Sequence, residues 1–131
     1  MTALYANLEK GRPYVLSILR IVAALVFLQF GLAKLFGFPV AGPPLHGLII
    51  PAAIIETFGS LLLLVGLFTR WAAFIMSGEM AFAYFLAHAP KSFYPAANGG
   101  SLAVLYCFVF LYFVFAGGGP WSLDRVALKQ D

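Results

Sequence analysis

Four ionisable residues stand inside long apolar runs of this sequence: Arg20, Lys34, Glu56 and Glu79. A charge in hydrocarbon is costly unless it is paired or faces a polar cavity, so their spacing carries information. Arg20, Ala24, Phe27, Gly31 and Lys34 follow a 4-3-4-3 rhythm that puts both cations on one helical face. Ala52, Glu56, Gly59, Leu63 and Gly66 repeat the rhythm, as do Ala72, Met76, Glu79, Ala83 and Leu86. Small residues on these stripes let helices approach closely, which turns the charges inward. At the helical rise per residue, Arg20 and Glu79 lie about 7–8 Å and about 12–14 Å from the N-terminal ends of their runs. Lys34 lies about 3 Å from the C-terminal end of its run, and Glu56 about 8–12 Å from the N-terminal end of its own. In antiparallel helices the expected pairs are therefore Arg20–Glu79 and Lys34–Glu56, with Arg20 against both carboxylates as the main variant.

Two chemistries suit this set. Glu56 and Glu79, near mid-depth on adjacent helices, could take up or pass protons, or end a ligand pocket. Alternatively, all four charges could be engaged in ion pairs that fix helix register and partner choice. Pro/Gly-rich connections at 37–47 and 90–100 carry His46, His88, Ser92, Tyr94 and Asn98 near one end, where a pocket could open. The candidate ligand-binding or proton-handling set is Glu56, Glu79, Arg20, Lys34, His88 and Asn98. No metal centre is expected: His46 and His88 lack ligand spacing, and Met76 and Met80 at i,i+4 read as core filler. The single cysteine, Cys107, allows neither an intramolecular disulfide nor a CxxC dithiol, and reads as a structural thiol. Any redox role must then use a bound cofactor, a quinone or a partner's thiols.

The elements that position these residues follow from composition. The 131 residues are 63% apolar and 10% charged, and mean hydropathy is +0.95. So small a sphere cannot hide that much apolar surface from water, which excludes an ordinary soluble enzyme and a disordered chain. Eight Lys+Arg against 5 Asp+Glu form no basic cluster, which excludes a nucleic-acid binder. GxGxxG, P-loop, HExxH and GxSxG elements are missing. The bilayer is the expected partner.

Four apolar runs, 15–36, 48–68, 71–87 and 102–116, predict four spanning helices in a single domain, 1–131. Pro51 suits the first turn of the second helix. Thr69-Arg70 is expected as a tight link, and Ser122 as the cap of a short interfacial helix with Asp124 in its first turn. The run at 15–36 is longer than a signal h-region and no A-x-A-like site follows, so it reads as a retained helix. Lys10, Arg12, Arg70, Arg125 and Lys129 flank one side, against Lys34 and Lys91 on the other, which predicts cytoplasmic termini. Tyr14, Trp71 and Trp121 fall at that same boundary. The absence of a transit-peptide pattern favours a bacterial inner membrane.

Several ordered motifs resemble the bacterial DoxX/DoxD family: GLAKLFGF at 31–38, GLFTR at 66–70, SGEMAFAYF at 77–85, HAPKSFYP at 88–95, NGG at 98–100 and GPWSLD at 119–124. The resemblance spans nearly the whole chain and implies a four-helix integral membrane fold. It also implies a link to redox chemistry, since the family takes its name from a subunit of a thiosulfate:quinone oxidoreductase and other members are tied to thiol-stress complexes. Glu56 and Glu79 match acidic positions of the family pattern. Ser101 follows NGG where the family often has Glu, so proton handling at that position is not carried over.

The expectation is thus an all-α transmembrane four-helix bundle serving as a small subunit of a quinone-linked or thiol/sulfur-linked oxidoreductase system. Its partners would be a second copy or a soluble redox protein. The alternatives are a non-catalytic anchor or assembly factor and, third, a small-molecule transporter, disfavoured because four short helices enclose little interior.

Overall fold

A computed structural model describes residues 1–130, and among these all regular structure is helical. Four long elements, α1 (Thr2–Phe36), α2 (Ile49–Val65), α3 (Thr69–Ala83) and α5 (Ser101–Ala116), are accompanied by two short ones, α4 (Pro95–Asn98) before α5 and α6 (Leu123–Val126) after it. A π-helical turn, Tyr84–His88, continues α3.

The helix starts and stops have local causes. Gly37 adopts a left-handed conformation that ends α1, its N–H returning to the Ala33 carbonyl at 3.1 Å. Pro51 lies in the first turn of α2, where a missing N–H costs nothing. Ser122 caps α6, its Oγ accepting from the Arg125 N–H at 3.2 Å. Two boundaries differ from the sequence expectation. Helix α1 begins at Thr2 rather than near residue 15, because 2–12 is rich in helix formers and Pro13 removes one bond without ending the helix. Hydropathy registers only the apolar part of such a helix. The link between α2 and α3 is Gly66-Leu67-Phe68, and Thr69 and Arg70 already belong to α3. The displacement follows from Asp124, whose carboxylate accepts from the Phe68 N–H at 2.7 Å and the Thr69 N–H at 2.9 Å. A side chain from the far end of the chain thereby caps α3.

Helix α1 packs on α2, α2 on α3, and α3 on α5. Phe27 closes the remaining side, its ring 4.9 Å from Tyr106 and 5.0 Å from Phe110 of α5. Ala24, Leu63, Ala73, Met76, Phe110 and Phe113 complete a core in which small residues set the helix separation. Gly31 marks a close approach of α1 to α2: a β-carbon there would collide with the Thr57 side chain and lie 2.7 Å from its backbone nitrogen. Residues 13–20 of α1, the α2–α3 link and the C-terminal segment meet at one end, where Tyr14 and Trp121 are in ring contact at 5.6 Å.

Polarity is inverted relative to a water-soluble fold. Arg20 is 0% exposed and Glu56 2%, whereas Phe115 is 75% exposed and Val22, Phe58, Phe74 and Leu105 also face outward. Among the described residues, α1 is the one helix both long and apolar enough to cross a membrane, and α2 and α5 are shorter apolar helices.

Candidate functional site

At the end of the molecule opposite the termini, α1, α2, α3 and α5 diverge around a cavity of about 1080 Å³. Its walls are mainly aliphatic and aromatic, and its ionisable groups are Lys34, Glu56, Glu79, His88 and the Tyr106 phenol. Pro43 and Gly99 bring both Pro/Gly-rich connections to its rim. Leu48, Phe82 and Leu86 line it while standing exposed, so the cavity opens to the exterior.

Helical spacing explains how the polar groups converge. Lys34 lies two turns beyond Phe27 on the inward stripe of α1, and Gly31 lets α1 press against α2 at Thr57, bringing Lys34 to Glu56. The Lys34 Nζ donates to the Glu56 Oε1 at 2.6 Å, as the spacing predicts. The Glu79 carboxyl on α3 lines the same cavity as Glu56, and the two interact electrostatically. Its Oε1 is buried and without a hydrogen-bond partner. Two carboxyls and one ammonium thus meet at the polar end of an apolar cavity.

Arg20 does not join them, and the expected Arg20–Glu79 pair does not form. The Arg20 guanidinium donates instead to the Gly118 carbonyl through Nη1 and to the Trp121 carbonyl at 2.7 Å through Nη2. Asp124 acts on it electrostatically. The cause is reach: the C-terminal segment folds back under the helices and presents backbone carbonyls closer to Arg20 than Glu79 is. Ser17 completes this lock, donating to the Gly118 carbonyl at 3.0 Å and accepting from the Trp121 N–H at 3.1 Å. Backbone acceptors within and just after a GGGP run carry no side-chain signal, so sequence reasoning had no view of them.

Asn98 lies outside the cavity wall and organises the connection beside it. Its Nδ2 donates to the Tyr84 hydroxyl at 3.1 Å and the Ser92 carbonyl at 3.0 Å, and its Oδ1 accepts from the Gly100 N–H at 2.8 Å. His88, aimed at the cavity rim by the π-helical turn, has Nδ1 3.1 Å from the Asn98 carbonyl oxygen. His46 and Tyr94 are exposed and do not line the cavity. Met76 and Met80 are core residues, and the Ser77 Oγ donates to the Cys107 carbonyl at 2.7 Å. Tyr84 was missed by sequence reasoning, because a tyrosine amid aromatic residues carries no distinguishing pattern.

A protein of Haemophilus influenzae described as uncharacterized is 49% identical over 132 residues, covering 95% of this chain and 98% of its own length. No solved structure matches the chain. The DoxX family model matches residues 15–89, a stretch that holds Arg20, Lys34, Glu56, Glu79 and His88. With its buried charges and outward apolar faces, the chain is a membrane protein and belongs to the DoxX family.

Proposed function

We propose that this protein is a small multi-pass subunit of a quinone-linked or thiol-linked redox system in a bacterial inner membrane. Helices α1, α2, α3 with its π-helical continuation, and α5 span the bilayer as a four-helix bundle with both termini cytoplasmic. The observation that carries the reading is the cavity whose apolar walls end at Lys34, Glu56 and Glu79, with one Glu79 oxygen unpartnered. Ligand pockets of this kind pair apolar walls with a few convergent polar groups. A quinone fits the donor set: its tail suits the walls, and its carbonyl or hydroxyl can meet the Glu79 carboxyl. Such a ligand supplies two-electron chemistry coupled to protons.

The residues' part is to hold and position a proton. Lys34 balances one carboxylate, and the trio is neutral in its apolar surrounding when the Glu79 carboxyl carries a proton. Glu79 presents that proton, or the site for it, to the ligand's polar head. His88 stands between this group and the outer side. Purifying the full chain in nanodiscs and identifying the lipid-soluble molecules it retains tests the reading. A quinone retained by the natural chain and lost from Glu79→Leu is expected; retention of phospholipid alone refutes it. Reporter fusions at the C-terminus and within residues 90–100 should give cytoplasmic and opposite signals respectively.

One observation favours a second reading. The first turns of α1, with Leu4, Tyr5 and Leu8, are exposed and extend past the other helices. They suit a membrane anchor that docks a soluble partner.

A further inference from the structure

Gly78 has no structural reason to be glycine. A glycine inside a helix costs about 1 kcal/mol relative to alanine, a cost that close packing usually offsets. Gly31 and Gly59 have that reason, since a β-carbon would collide with Thr57 in one case and meet Met76 Sδ at 2.7 Å in the other. At Gly78, in the middle of α3, a β-carbon would meet nothing within 4 Å. Its place is instead on the cavity wall, immediately before Glu79.

Phe74 and Phe82 stand four residues before and after it, on the same helical face, and both line the cavity while remaining largely exposed. Two rings about 12 Å apart along the helix therefore bracket a strip with one position of bare backbone and the exposed Ile75 beside it. A planar ring can lie flat against that strip with its edges toward the two phenylalanines, the arrangement aromatic groups prefer. A ring seated there has its substituents beside Glu79, whose Oε1 is buried and unpartnered.

We infer that Phe74, Gly78 and Phe82 form a slot that selects a flat ring as the headgroup presented to Glu79. The inference rests on the proposal that the cavity takes a lipid-soluble ligand, and it makes Gly78 the specificity-determining residue of that site. The slot admits a benzoquinone-sized ring and excludes a bulky or branched head, while the tail leaves over Leu86 and Leu102.

The test uses the full chain in nanodiscs and an azido derivative of a short-chain benzoquinone, with labelled peptides mapped by mass spectrometry. The natural chain should be labelled on α3 around Glu79. Gly78→Leu should lower that labelling by about tenfold or more, the scale of one lost stacking contact. It should leave the thermal transition unchanged or raised, because the new side chain enters open space. Gly78→Ala, which only adds a methyl group, should give a smaller loss and keeps the test valid if the leucine variant does not fold. Labelling of the natural chain that persists in both variants overturns the slot and leaves the ligand reading standing. Absence of labelling in the natural chain overturns both. A monomer–dimer change in Gly78→Leu with labelling intact shows that the strip packs a second copy, and also overturns the slot.

Discussion

Arg20 of α1 donates to the backbone carbonyl of Gly118, 98 residues further along the chain, and both are buried. A guanidinium in an apolar interior can be satisfied by carbonyl dipoles as well as by a carboxylate, provided they are held in place. Ser17 and Trp121 hold them here, and Asp124 acts on the guanidinium electrostatically. Arg20→Leu should therefore cost roughly 3–5 kcal/mol, the scale for breaking a buried charged contact. Because Glu79 is not its partner, adding Glu79→Leu should give effects that sum to within about 0.5 kcal/mol. Thermal unfolding in detergent of the two single variants and the double variant measures this. Rescue of Arg20→Leu by the second change would restore the pairing that the structure excludes.

The Lys34–Glu56 pair should behave in the opposite way. Its 2.6 Å contact lies between half-buried and buried side chains, so removing one partner strands the other. Lys34→Met and Glu56→Leu should each lower the transition, and the double variant should lose less than the sum. A coupling of about 1 kcal/mol or more is expected for residues in direct contact. A double-mutant cycle in nanodiscs would show it, and strict additivity would mean that the two charges are independent.

Asp124 offers a local test of how α3 begins. Its carboxylate accepts both the Phe68 and Thr69 N–H groups, and Phe68 takes a left-handed conformation to make this possible. Asp124→Ala should cost about 1–2 kcal/mol as a lost helix cap, and Asp124→Asn less, because one acceptor remains. Hydrogen exchange should accelerate at Phe68 and Thr69 first. Unchanged protection at those two amides in Asp124→Ala would show that the cap does not hold them.

The contrast between these pairs shows what the sequence made legible. Lys34 and Glu56 could be matched because both lie on inward stripes near the same end, within the reach of a lysine side chain. The apolar runs likewise located α1, α2, α3 and α5, since each must bury or shed apolar surface along its whole length. Arg20 could not be matched, because its acceptors are main-chain oxygens in a glycine-rich segment. The cap of α3 was hidden for a related reason: Asp124 reads locally as a first-turn residue of α6, and only the return of the chain brings it to Thr69. The polar N-terminal third of α1 gave hydropathy nothing to detect. At the cavity, the acidic pair was readable from spacing, whereas the strip at Gly78 required knowing which glycines are packed.

Asn98 separates a structural role from a ligand-binding one. Its side-chain amide already makes three hydrogen bonds, to Tyr84, Ser92 and Gly100, which tie the 90–100 connection to the end of α3. Each such bond is worth about 0.5–1.5 kcal/mol, so Asn98→Ala should lower stability by about 2–3 kcal/mol. Asn98→Asp keeps the acceptor for the Gly100 N–H but loses both donors, and should fall between the natural chain and the alanine variant. Tyr84→Phe removes one of the three partners and should produce about a third of the alanine effect. Thermal unfolding of the three variants orders them, and hydrogen exchange should place the loosening in residues 90–100 rather than in the core. If Asn98→Ala leaves the transition and the exchange pattern unchanged but abolishes quinone labelling near Glu79, the amide serves the ligand and the network is incidental.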